Sequence, residues 1–142
     1  MHPYEIDLHS EFLRADLFLA VGRPTEAARL LERVVEAEPA NEAALELLAR
    51  SYFASAQLGR SEATLTRLVE LAPANGWARR ALARTLERQS RPDAAAVHHR
   101  MADALGAKRV TAAQRCCDQL EVAEQLESPA VPVDPGLGVD GC

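Results

Sequence analysis

Val34-Val35-Glu36-Ala37-Glu38-Pro39-Ala40-Asn41 returns, with changes, as Leu68-Val69-Glu70-Leu71-Ala72-Pro73-Ala74-Asn75. Val, Glu, Pro, Ala and Asn match in order, and Pro39 to Pro73 gives an offset of 34 residues. Each copy reads as the end of one helix and the start of the next. Pro39 and Pro73 remove a backbone donor and stop the preceding helix. Asn41 and Asn75 are good N-caps, because a side-chain oxygen there accepts an orphaned backbone N–H. Pro24 and Pro92 suit a first helical turn, where no donor is needed. One further period beyond Pro73 reaches Ala107, beside Gly106, and a glycine also ends a helix.

Working outward from these stops predicts helices near 8–21, 24–37, 42–56, 61–72, 76–89 and 92–105. A seventh is expected at about 110–127, where Val110, Ala113, Cys117, Leu120, Ala123 and Leu126 recur on one helical face. Beyond Glu127, the run Ser128-Pro129-Ala130-Val131-Pro132-Val133-Asp134-Pro135-Gly136 cannot continue a helix. Residues 128–142 read as a flexible, disordered, acidic Pro/Gly-rich tail.

The period and the phased Pro-Ala-Asn motifs resemble the tetratricopeptide-repeat (TPR) family. The resemblance covers roughly residues 8 to 106. It implies an all-α fold, a right-handed superhelical solenoid of antiparallel helix pairs, with repeats at about 8–41, 42–75 and 76–106. The helix at 110–127 would cap the last repeat, and the helical domain would span 1–127. The family's small positions fall on Ala15 and Ala27, Ala49 and Ser61, and Ala83 and Ala95. Its large positions fall on Phe18 and Leu31, Tyr52 and Leu65, and Leu86 and His99. Gly22 stands at the family's turn position, which Ala56 and Ser90 take in the later units. The characteristic Trp position holds Glu11, Leu45 and Arg79, so the outer repeats depart from the pattern.

Composition agrees with a soluble helical chain. Hydrophobic residues make up 48% but aromatics only 4%, so the apolar share rests on Ala, Leu and Val, two of them strong helix formers. No apolar run is long enough to span a membrane, and Met1 to Asp7 lack the basic start of a signal peptide. A cytoplasmic location is expected. The odd set Cys116, Cys117 and Cys142 is no disulfide framework and reads as reduced thiols. Charge is segregated: residues 1–75 sum to −5, residues 76–115 to +6, and residues 116–142 to −6. The acidic end reads as a solvated tail; the alternative is that it folds back on the basic stretch, an attraction that salt would screen.

Nothing points to catalysis, so the chain is not read as an enzyme, and no cofactor is implied. No phosphate loop, serine elbow or metalloprotease motif is present. His98-His99 and Cys116-Cys117 are adjacent pairs rather than the two-to-four spacing from which zinc ligands converge. The basic stretch lacks the interleaved aromatics of a single-strand platform, and the acidic remainder repels phosphate, so no nucleic acid is expected.

In the family, the first helix of each pair lines a concave face. The resemblance places His9, Phe12, Asp16, Leu19 and Ala20 there in the first repeat. The second contributes Ala43, Glu46, Arg50, Phe53 and Ala54, and the third Trp77, Arg80, Arg84, Glu87 and Arg88. Phe12, Leu19, Phe53 and Trp77 supply apolar surface, with Asp16 and Arg50 between them. Aromatic and Arg side chains commonly anchor interfaces. Arg80, Arg84 and Arg88 are spaced by four and read as one cationic stripe able to grip carboxylates. The expected ligand is an apolar protein segment with acidic residues towards the third repeat, bound by an adaptor or chaperone-like module. Some co-chaperones of the family clamp a terminal carboxylate with Lys and Asn. Here Phe12, Asp16 and Leu47 replace those residues, so that specificity is rejected. The alternative is a structural, self-associating subunit, since three repeats lie near the minimum for stability and a homodimer would help.

Overall fold

A computed structural model describes residues 7–107. They form six helices: α1 (Leu8–Ala20), α2 (Pro24–Ala37), α3 (Glu42–Ala54), α4 (Leu58–Leu71), α5 (Gly76–Arg88) and α6 (Pro92–Ala104). No strand occurs among the described residues. Each odd-numbered helix and its successor form an antiparallel hairpin, and the three hairpins stack into a right-handed superhelical solenoid. Helix starts repeat at 34 residues, and so do the ends, except that α6 stops one residue short of the period. The expected helix at 110–127 and the tail 128–142 lie outside the described residues.

The odd helices begin alike. Side-chain oxygens of Asp7, Asn41 and Asn75 accept from the backbone N–H of His9 (3.2 Å), Ala44 (3.0 Å) and Ala78 (3.0 Å). They also end alike. Arg23, Gln57 and Arg91 donate their N–H to the carbonyls of Phe18, Tyr52 and Leu86, five residues back, at 2.8, 2.8 and 3.0 Å. This closure requires a left-handed residue just before the donor. Gly22 (φ 80°), Ala56 (φ 60°) and Ser90 (φ 60°) supply it, the last two against the steric cost of a Cβ.

The even helices have no side-chain cap hydrogen bond at all. Their starts are set by the turn before them. Helix α4 therefore begins at Leu58, in register with Pro24 and Pro92, and not at Ser61 as expected. Ser61 is instead fully buried, and its hydroxyl donates to the Ala49 carbonyl of α3 at 3.1 Å.

Small residues stand where paired helices cross: Ala15 with Ala27, Ala49 with Ser61, and Ala83 with Ala95, all at most 1% exposed. Leu31, Leu45, Leu65 and Leu68 fill the layers between helices, each worth roughly 2 kcal/mol of apolar burial. The space beside Gly76, at the start of α5, is closed by the end of α6. A Cβ there would lie 2.8 Å from the Ala107 Cβ and 3.3 Å from the Leu105 Cβ.

Candidate functional site

The odd helices lie side by side, so residues about one period apart become lateral neighbours. Arg50 on α3 places its guanidinium 4.8 Å from the ring centre of Trp77 on α5, while its Nη2 bonds Glu46 at 2.6 Å. Phe53, a turn further along α3, receives two cations from α5: Arg84 at 5.6 Å and Arg88 at 4.5 Å from its centroid. Arg88 Nη1 also donates to the Phe53 carbonyl oxygen at 3.0 Å. Guanidinium groups are attracted to the negative face of an aromatic ring. These contacts gather Arg50, Phe53, Trp77, Arg84 and Arg88 into one cluster bridging the second and third hairpins.

Among the described residues, neither Arg84 nor Arg88 has a carboxylate within ion-pair distance. Both are exposed. Among the described residues, the cluster therefore presents two cations whose partners are a ring and a backbone carbonyl.

Arg80 does not belong to it. Only 8% of this residue is exposed, and its guanidinium turns towards α6. Nη1 donates to His99 Nδ1 at 2.8 Å, and Nη2 donates to the Asp103 carboxylate and, at 2.8 Å, to the Ala107 carbonyl. The stripe read from four-residue spacing is thus split. Each step of four advances roughly 40° around a helix, so Arg80 and Arg88 point in directions about 80° apart. Arg80 ties the last two helices together.

In the first hairpin, Phe12 and Leu19 are half-buried against the core between hairpins one and two, while Asp16 is exposed. Trp77 packs partly on both core clusters.

Sequence reasoning missed the pairing of rings with guanidiniums. The signal was present in the 34-residue offset: one period beyond Phe53 is position 87, which Arg84 and Arg88 flank on adjoining turns. It placed His99 at a large position of the repeat but missed its polar contact, Nε2 lying 2.7 Å from Glu87 Oε1. Its neighbour His98 is held below the ordinary imidazole range by burial, with Arg79 adding repulsion. No group of three or more His, Cys, Asp or Glu able to hold a metal occurs among the described residues, and Cys116 and Cys117 lie outside them. No helix among them is long and apolar enough to cross a membrane.

A family model described as the tetratricopeptide repeat matches residues 18–75. Solved structures of MamA are similar in fold. One from Desulfovibrio magneticus RS-1 is 22% identical over 76% of this chain and 61% of its own, with a TM-score of 0.69. An RS-1 MamA double mutant is 24% identical over 70% of this chain and 56% of its own, with a TM-score of 0.68. An AMB-1 MamA structure is 22% identical over 71% of this chain and 60% of its own, with a TM-score of 0.69. The chain thus spans less than two thirds of the length of each of these three MamA chains. No curated protein matches it.

Proposed function

From the match of residues 18–75 to the tetratricopeptide repeat, we propose that this chain is a protein-interaction module whose odd-helix face receives a segment of another protein. The observation that carries the reading is the Arg84–Arg88 pair, stacked on Phe53 and lacking any carboxylate partner among the described residues. Two guanidiniums without a carboxylate partner among the described residues, beside half-buried rings, suit a segment that alternates apolar and acidic side chains. The apolar groups would meet Phe12, Leu19, Phe53 and Trp77, and the carboxylates would meet Arg84 and Arg88. Arg50 and Asp16 would border the segment, and Arg80 would support the surface from beneath. The role is that of an adaptor or chaperone-like module, in the cytoplasm, where its three cysteines stay reduced.

A capture experiment with tagged wild type and a Phe53→Ala, Arg84→Ala variant tests this. Partners retained by wild type and lost by the variant support the reading. Identical partner sets from two folded proteins would show that binding lies elsewhere.

A second reading is self-association. Leu13 and Leu17 on α1 are 53% and 64% exposed. They occupy the register at which α3 buries Leu47 and Ser51 against α2. Light scattering separates the readings: a monomer favours the adaptor, and a dimer that Leu17→Glu dissociates favours the structural subunit.

A further inference from the structure

The third hairpin holds an imidazole where the first two hold leucines. Leu31 and Leu65 are at most 1% exposed, and His99 stands at the corresponding place with a side chain 16% exposed. Its two ring nitrogens show what replaces the apolar contact. Arg80 Nη1 lies 2.8 Å from Nδ1. A guanidinium only donates, so Nδ1 accepts and the ring proton sits on Nε2. Nε2 therefore donates to Glu87 Oε1 at 2.7 Å.

Glu87 lies between the two groove cations in sequence, three residues after Arg84 and one before Arg88. Residues three apart on a helix are neighbours, and opposite charges there can pair. Arg84 and Glu87 do not pair. The Glu87 carboxylate is instead engaged by His99 Nε2 at 2.7 Å.

We propose that His99 withholds Glu87 from Arg84, and so keeps the Arg84–Arg88 pair open to side-chain carboxylates of the bound segment. His99 is a positioning residue that acts through Glu87, while Arg80 fixes the tautomer that lets it do so. The inference rests on the groove reading above for its ligand, but the withholding itself concerns only this chain.

The test uses the full chain, wild type and three variants: His99→Leu, Glu87→Gln and the two combined. Leucine restores the residue of the other hairpins, and circular dichroism verifies folding. Arginine side-chain NMR resonances are followed first without ligand, then with a synthetic peptide alternating Phe and Glu. In the free protein, His99→Leu is expected to shift the Arg84 resonance as Glu87 swings onto it, and the combined variant to return it. Peptide affinity is expected to fall about twofold in His99→Leu, the cost of displacing one competing ion pair. The combined variant should recover wild-type affinity. That recovery excludes a loss through misfolding or through Arg80, which Glu87→Gln could not repair. An Arg84 resonance unmoved by His99→Leu, or a combined variant as weak as His99→Leu, would overturn the withholding and leave the groove standing. A peptide that shifts neither Arg84 nor Arg88 in wild type would overturn the groove and, with it, the carboxylate ligand.

Discussion

Arg88 lies across the face of Phe53, its guanidinium carbon 4.5 Å from the ring centroid, and its Nη1 donates to the carbonyl oxygen of that same residue at 3.0 Å. One side chain thus holds both the ring and the backbone of the neighbouring hairpin. Removing the ring loses half-buried apolar surface and two cation–ring contacts. Phe53→Ala is expected to cost about 2 kcal/mol of stability, below the value for a fully buried phenylalanine. Urea unfolding monitored by circular dichroism measures it, and an unchanged midpoint would show that the ring contributes only to binding.

Ala56 and Ser90 occupy left-handed backbone where the first hairpin has Gly22. A Cβ in that region is sterically disfavoured. Ala56→Gly and Ser90→Gly are each expected to stabilise the protein by about 1 kcal/mol, net of the greater freedom of glycine in the unfolded chain. Thermal melts of the single and double variants should show near-additive gains, since the sites are a full repeat apart.

Gly76 presents the opposite case. The 2.8 Å approach that a new Cβ would make to the Ala107 Cβ leaves no room without movement of the end of α6. Gly76→Val is expected to destabilise by about 1–3 kcal/mol, with loss of amide protection concentrated at the α5–α6 junction in hydrogen exchange.

The caps of α3 and α5 are equivalent by geometry, with 3.0 Å bonds from Ala44 and Ala78. Asn41→Ala and Asn75→Ala should therefore cost similar amounts, about 1 kcal/mol each. Denaturant titration tests this equality, and a large difference would show that inter-helix packing at one site outweighs the cap.

Tyr52 donates its hydroxyl to Glu32 at 2.6 Å. Burial first, and then the Glu32 hydrogen bond, raise its hydroxyl from 10.0 to about 12. The folded protein thus holds this proton more tightly than the unfolded chain. The stability it contributes is fully present below pH 10.0 and is lost as pH rises towards about 12. Ultraviolet difference spectroscopy should reveal a late tyrosinate phase that Tyr52→Phe abolishes. The variant should also lose less stability than wild type across that interval.

What the chain alone determined is its period and its local punctuation. Asn41, Asn75, Pro39, Pro73, Pro24 and Pro92 act within a few residues, by supplying or removing backbone hydrogen bonds, so their meaning is readable without the fold. The start of α4 was not readable in this way. Gln57 makes no side-chain cap bond, and the helix begins where the preceding Ala56 turn releases it. The cationic face was only half legible. Spacing placed Arg80, Arg84 and Arg88 on one helix but could not say which neighbour each would meet. Packing sent Arg80 to His99 and Asp103, and sent Arg84 and Arg88 to Phe53. Those partners lie 19 to 35 residues away in the chain. Only the relative rotation of stacked hairpins, set by Ala and Leu packing between them, brings such distant groups within bonding range.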